Sequence, residues 1–116
     1  MTQNNIRQVL SKHTVIPVVN FTSIDDVEKT IDKLIESNIN CIEITLRTEM
    51  AFDCIALAQK LNISNFDVGI GTVVSSDQIQ KAKDLEVAFM VSPGINEQLA
   101  PHFEDSKIAF IPGIAT

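Results

Sequence analysis

The sequence predicts an α/β protein built on a parallel sheet. Apolar, β-branched runs alternate with helix-spaced segments, and the repeat of roughly 20 to 25 residues is about one strand, one helix and two short loops. The strand runs are mostly apolar on both faces, as in a parallel sheet covered on both sides. Doubly wound sheets and barrels both produce this alternation, and pattern alone does not separate them. The 116 residues suffice for one domain, 1–116, with a modest core. A closed eight-stranded barrel typically needs about 250 residues.

The elements follow in order. A short amphipathic opening carries Ile6, Val9 and Leu10, and TVIPVVN (14–20) then reads as a first strand buried on both faces. Ser23 opens a helix, SIDDVEKTIDKLIESN, in which Ile24, Val27, Ile31, Leu34 and Ile35 recur at helical spacing. Asp25 and Asp26 suit the positive end of its dipole. NCIEITL (40–46) is a second strand, and EMAFDCIALAQKLN a second helix with Met50, Ile55, Ala58 and Leu61 on its apolar side. FDVGIGT (66–72) is a third strand running into a glycine turn. Ser75, with Gln78 three residues on, forms the pattern of a capping box before a third helix, SDQIQKAKDLE. EVAFMVSPG is a fourth strand ending in a Pro-Gly turn, INEQLAPHF a helical turn broken by Pro101, and KIAFIPG a fifth strand ending like the fourth.

Composition excludes several functions. Fifteen acids against 9 bases give a net charge of −6. The pI is near 4.7, so there is no positive field to hold a nucleic-acid backbone. No apolar run is long enough for a signal peptide or a membrane span, and the expected compartment is the cytoplasm. Cys41 and Cys54 sit at no disulfide or metal-ligand spacing and read as buried, reduced thiols.

Candidate chemistry concentrates at strand ends. In residues 41–47, alternation puts Ile42, Ile44 and Leu46 on one face and Cys41, Glu43, Thr45 and Arg47 on the other. A polar stripe among apolar strands reads as the lining of a site; the alternative is a wetted face with a cross-strand ion pair. Glu43 is the candidate for proton transfer, because desolvation raises a carboxyl pKa toward neutrality. Arg47 suits capture of a carboxylate or phosphate, or else pairs with Glu43 and lowers its pKa. Gly69-Ile70-Gly71-Thr72 lacks the third glycine of a dinucleotide fingerprint, since position 74 is valine. Its glycines suit either close approach to a small ligand, with Thr72 as a hydrogen-bonding group, or a tight turn. The Ser92-Pro93-Gly94 and Ile111-Pro112-Gly113 turns are by themselves turn chemistry. His13 and His102 lack a partner at recognisable spacing and read as surface residues. None of Lys12, Lys29, Lys33, Lys60, Lys81, Lys83 and Lys107 lies within a buried strand, where burial would make the amine nucleophilic.

Taken together, IPVV, CIEITLRTEMA, GIGTV, VSPG and IPGIAT resemble, in order and spacing, the 2-keto-3-deoxy-6-phosphogluconate and 4-hydroxy-2-oxoglutarate aldolase family. The resemblance implies a parallel (β/α)8 TIM barrel, cytoplasmic and trimeric, using no metal or cofactor and acting on small 2-keto acids through a lysine imine. It also implies proton shuttling by Glu43 and substrate binding by Arg47, Thr72 and Pro93, at the C-terminal ends of the strands. The family's imine lysine lies on a later strand, in a Phe-Lys-Phe-Phe-Pro motif, and its phosphate-binding turn is later still. On this reading 1–116 is a single partial barrel domain with about five of eight units, ending before the sixth strand. It is expected to be the ordered part of a longer protein, a truncated product, or a piece that completes its barrel with another chain. The chain alone is expected to be inactive, either as part of an aldolase or as a non-catalytic binding or assembly module.

Overall fold

The computed structural model describes residues 7–8, 11–13, 15–94 and 97–112. Ile6, Val9, Leu10, Ile95 and Gly113, all part of expected elements, lie outside these. Among the described residues, where Arg7, Gln8 and Ser11 are helical, five strands then alternate with four helices: β1 (Val18–Val19), α1 (Asp26–Glu36), β2 (Cys41–Thr45), α2 (Ala51–Lys60), β3 (Asp67–Gly71), α3 (Ser76–Asp84), β4 (Phe89–Ser92), α4 (Ala100–Ser106) and β5 (Ala109–Pro112). All pairs are parallel and the sheet order is β1-β2-β3-β4-β5.

That order resolves the ambiguity the sequence left. A doubly wound sheet reverses its strand order to place helices on both faces, whereas sequential right-handed crossovers keep every helix on one. Strand residues Ile42, Ile44, Val68, Ile70, Met90 and Phe110 pack in one core with helix residues Val27, Ile31, Cys54, Ile55, Ala58, Ile79, Ala82 and Phe103. The opposite face holds a separate, smaller cluster around Phe89 and Ala109, joined by Ile16, Val91 and Ile111. The described residues thus form four successive (β/α) units and a fifth strand in TIM-barrel order, helices outside.

Local chemistry explains most elements. Ser75 accepts from the Gln78 amide at 3.3 Å while the Gln78 side chain accepts from the Ser75 amide at 3.2 Å, the capping box read from the sequence. Phe103 stacks on Phe110 at 4.9 Å between ring centroids, fastening α4 to β5. Cys41 and Cys54 are buried and unpaired, as expected. Among the described residues no helix is long and apolar enough to cross a membrane.

Four expectations need correction. Of the expected first strand 14–20, in which Thr14 lies outside the described residues, only Val18–Val19 is strand among 15–20, and Val18 is 61% exposed. Pro17 has no amide to donate to a ladder, and among the described residues β1 has a neighbour on one side only. The helix expected from Ser23 starts at Asp26, because the Ser23 hydroxyl accepts from the Asp25 amide in a turn; Ile24 and Ile35 are exposed. Pro101 does not break a helix but begins one, since its missing amide falls in the first turn, where no intrahelical partner exists. His13 is no surface residue: its Nε2 lies 2.7 Å from Asp67 Oδ2, and its side chain is 7% exposed.

Candidate active site

Register builds the site. Val18, Glu43, Gly69, Phe89 and Ala109 form one row across the sheet, pairing strand to strand on the face opposite the helices. Two residues nearer the strand C-termini, Thr45 pairs with Gly71. Glu43 therefore sits one layer below the rim, on the concave side of the barrel wall.

The two glycines of GIGT do not form a turn; both lie inside β3, and no described glycine has a positive φ. They are volume devices. A Cβ at Gly69 would run into the Phe89 ring, and one at Gly71 would overlap the Glu43 carboxylate. Gly71 thus gives Glu43 its place. The left-handed conformation falls on Thr72, with φ 62°. This is costly for a β-branched residue and persists where flanking bonds over-determine it. Here Gly71 O accepts from the Leu46 amide at 3.0 Å and the Val73 amide donates to Val91 O at 3.1 Å, so Thr72 is pinned from both neighbouring strands.

Glu43 is half-buried. Burial pushes its carboxyl pKa above the ordinary glutamate value, and the Arg47 charge only partly offsets this. Among the described residues no ion pair joins Glu43 to Arg47, so the sign that the sequence left open is upward. Arg47 stands exposed in the turn two residues beyond β2. Thr48 steadies that turn by donating to Phe21 O at 2.9 Å. Pro93 is exposed in the bend after β4, where Ser92 donates to Gly94 O and accepts from the Gly94 amide. Glu43, Arg47, Thr72 and Pro93 thus share the C-terminal half of adjacent strands and the turns that follow, with Glu43 deepest. All seven lysines are exposed. His102, unlike His13, is exposed as the sequence suggested. Among the described residues no group of His, Cys, Asp and Glu converges as metal ligands do. Sequence reasoning missed the role of Gly71, because the register that sets it against Glu43 has no local signature.

Sequential parallel strands with helices on one face define a (β/α)-barrel architecture, with a desolvated acid below the strand C-terminal ends as its candidate site. The chain belongs to the KDPG and KHG aldolase family, whose pattern matches residues 6–116. It is 35% identical over 111 residues to the 2-dehydro-3-deoxy-phosphogluconate aldolase of Treponema pallidum, covering 96% of this chain and 52% of that protein. A crystal structure of the Zymomonas mobilis 2-keto-3-deoxy-6-phosphogluconate aldolase with 3-phosphoglycerate superposes with a TM-score of 0.90 at 30% identity, over 98% of this chain and 54% of the other. The Legionella pneumophila enzyme, captured with pyruvate as a covalent carbinolamine, gives 0.86 at 29% identity, over 93% and 52%. The chain spans about half the length of the curated relatives it matches.

Proposed function

We propose that this chain is the acid/base and substrate-orienting part of a class I aldolase. The full protein would cleave 2-keto-3-deoxy-6-phosphogluconate to pyruvate and glyceraldehyde 3-phosphate, or 4-hydroxy-2-oxoglutarate to pyruvate and glyoxylate. The observation that carries the reading is Glu43: half-buried, unpaired by Arg47 and raised in pKa, it suits a group that accepts and returns a proton near neutral pH. A lysine beyond Thr116 would form an iminium with the keto acid. The iminium takes up the electron pair released as the carbon–carbon bond breaks, while Glu43 moves the accompanying protons. Arg47 and Thr72, with Pro93 lining the same mouth, would hold the keto acid in place. No resident metal or cofactor is invoked. The family resemblance supports a homotrimer in the cytoplasm, with residues 1–116 as a partial barrel domain completed by later strands, and with neither nucleic acid nor membrane as partner.

The exposure of all seven lysines favours a second reading for the chain by itself, a non-catalytic binding or assembly module. One experiment separates the two. Pyruvate and borohydride added to the product of the full coding sequence should leave a reduced pyruvyl group on one lysine beyond residue 116. A stop codon at that point, or no adduct, moves the conclusion to the module.

A further inference from the structure

We propose that the Thr45 hydroxyl is a further ligand-binding group of this site, donating a hydrogen bond to an oxygen of the 2-keto acid beside Glu43; the proposal rests on the reading of the site given above. Among the described residues three polar side chains are buried: Thr45, Ser92 and Ser106. Ser92 bonds Gly94 O, and Ser106 donates to Phe103 O at 2.7 Å. Thr45 is 2% exposed, and its Oγ1 has no partner among the described residues. A buried hydroxyl without a partner destabilises the fold, and such groups are few in native proteins. Valine would fill the same β-branched shape in this strand without that penalty. The hydroxyl therefore answers to something that arrives from outside.

Position says what arrives. Thr45 lies on the same face as Glu43, two residues nearer the C-terminal end of β2, and pairs with Gly71. The Glu43 carboxylate occupies the space that a Cβ at Gly71 would need. Acid and hydroxyl thus flank one glycine, with no hydrogen bond between them. A small oxygen-bearing ligand that displaces the Glu43 carboxylate from above Gly71 meets both: the hydroxyl donates to a carboxylate or keto oxygen, and Glu43 exchanges protons with the same group.

Pyruvate serves as the probe, with Thr45→Val, Thr45→Ser and Arg47→Ala made in the product of the full coding sequence and compared with its wild type by NMR titration and by thermal unfolding without ligand. The Thr45→Val variant should melt higher than wild type and bind pyruvate about tenfold more weakly. Thr45→Ser, which keeps the hydroxyl, should bind like wild type. A lower melting temperature for Thr45→Val would mean that the hydroxyl is already satisfied, and would overturn the proposal. If Thr45→Val binds like wild type while Arg47→Ala does not, the proposal falls and the site reading stands. If the wild type does not take up pyruvate, or Arg47→Ala leaves binding unchanged, the site reading fails and the proposal with it.

Discussion

Glu43 holds a carboxylate where water is partly excluded, so its ionised form is disfavoured in the folded chain relative to the unfolded one. Between the unfolded and folded pKa values the native state binds more protons, and stability falls as pH rises through that interval. Glu43→Gln should therefore raise the melting temperature at neutral pH, and the gain should disappear below the ordinary glutamate range, about pH 4. Melting curves across pH 3 to 8 check this; a gain that persists at low pH would assign it to packing instead. The two glycines of β3 predict contrasting outcomes. Gly69→Ala meets the fully buried Phe89 ring and should cost about 1–3 kcal/mol in urea unfolding. Gly71→Ala meets the far end of a flexible side chain, so Glu43 swings aside. Stability should change by less than about 1 kcal/mol, while the Glu43 pKa, read by NMR, should drop back toward its ordinary value. Glu43 and Arg47 were legible as candidates because strand alternation is local. The Gly71–Glu43 fit and the His13–Asp67 contact, 54 residues apart in sequence, depend on tertiary register and were not.

Elements differ in how far their own residues determine them. The capping box of α3 spans four residues and is complete within them, which is why Ser75 and Gln78 were readable. The Gln78 side chain also accepts from the Val74 amide at 2.7 Å, so the box ties the helix start to the segment that follows Thr72. Ser75→Ala should lower unfolding stability by about 1 kcal/mol with an unchanged denaturant slope. A larger loss would mean that the β3–α3 connection, and not the helix end alone, depends on the box. β1 and α4 were misread because their outcome depends on context. A β-branched run becomes a strand only as far as a neighbour pairs with it, and proline acts by its distance from the helix start.

At the scale of the whole molecule, the repeat of strand and helix was legible but the side each helix takes was not. Alternation fixes the number of units; the order of the strands decides whether helices cover one face or two. With the helices on one face, Glu43 lies on the inner wall, Arg47 and Thr72 follow the C-terminal ends of β2 and β3, and all seven lysines are exposed. Residues 1–116 should therefore release no pyruvate from 2-keto-3-deoxy-6-phosphogluconate in a coupled assay. Measurable turnover would require one of the exposed lysines to serve as nucleophile.

The fit between Gly71 and Glu43 also constrains how this sequence can change with time. A side chain at position 71 pushes the acid at position 43 out of its present place at little cost to the fold, so stability alone does not retain the glycine. Once acid chemistry is no longer needed, the glycine is free to be replaced. While the glycine has been replaced, return of a glutamate to its present place is blocked. A descendant that had drifted away from acid chemistry would then need two coordinated changes to recover it, and Gly71 acts as a historical latch on the role of its neighbour.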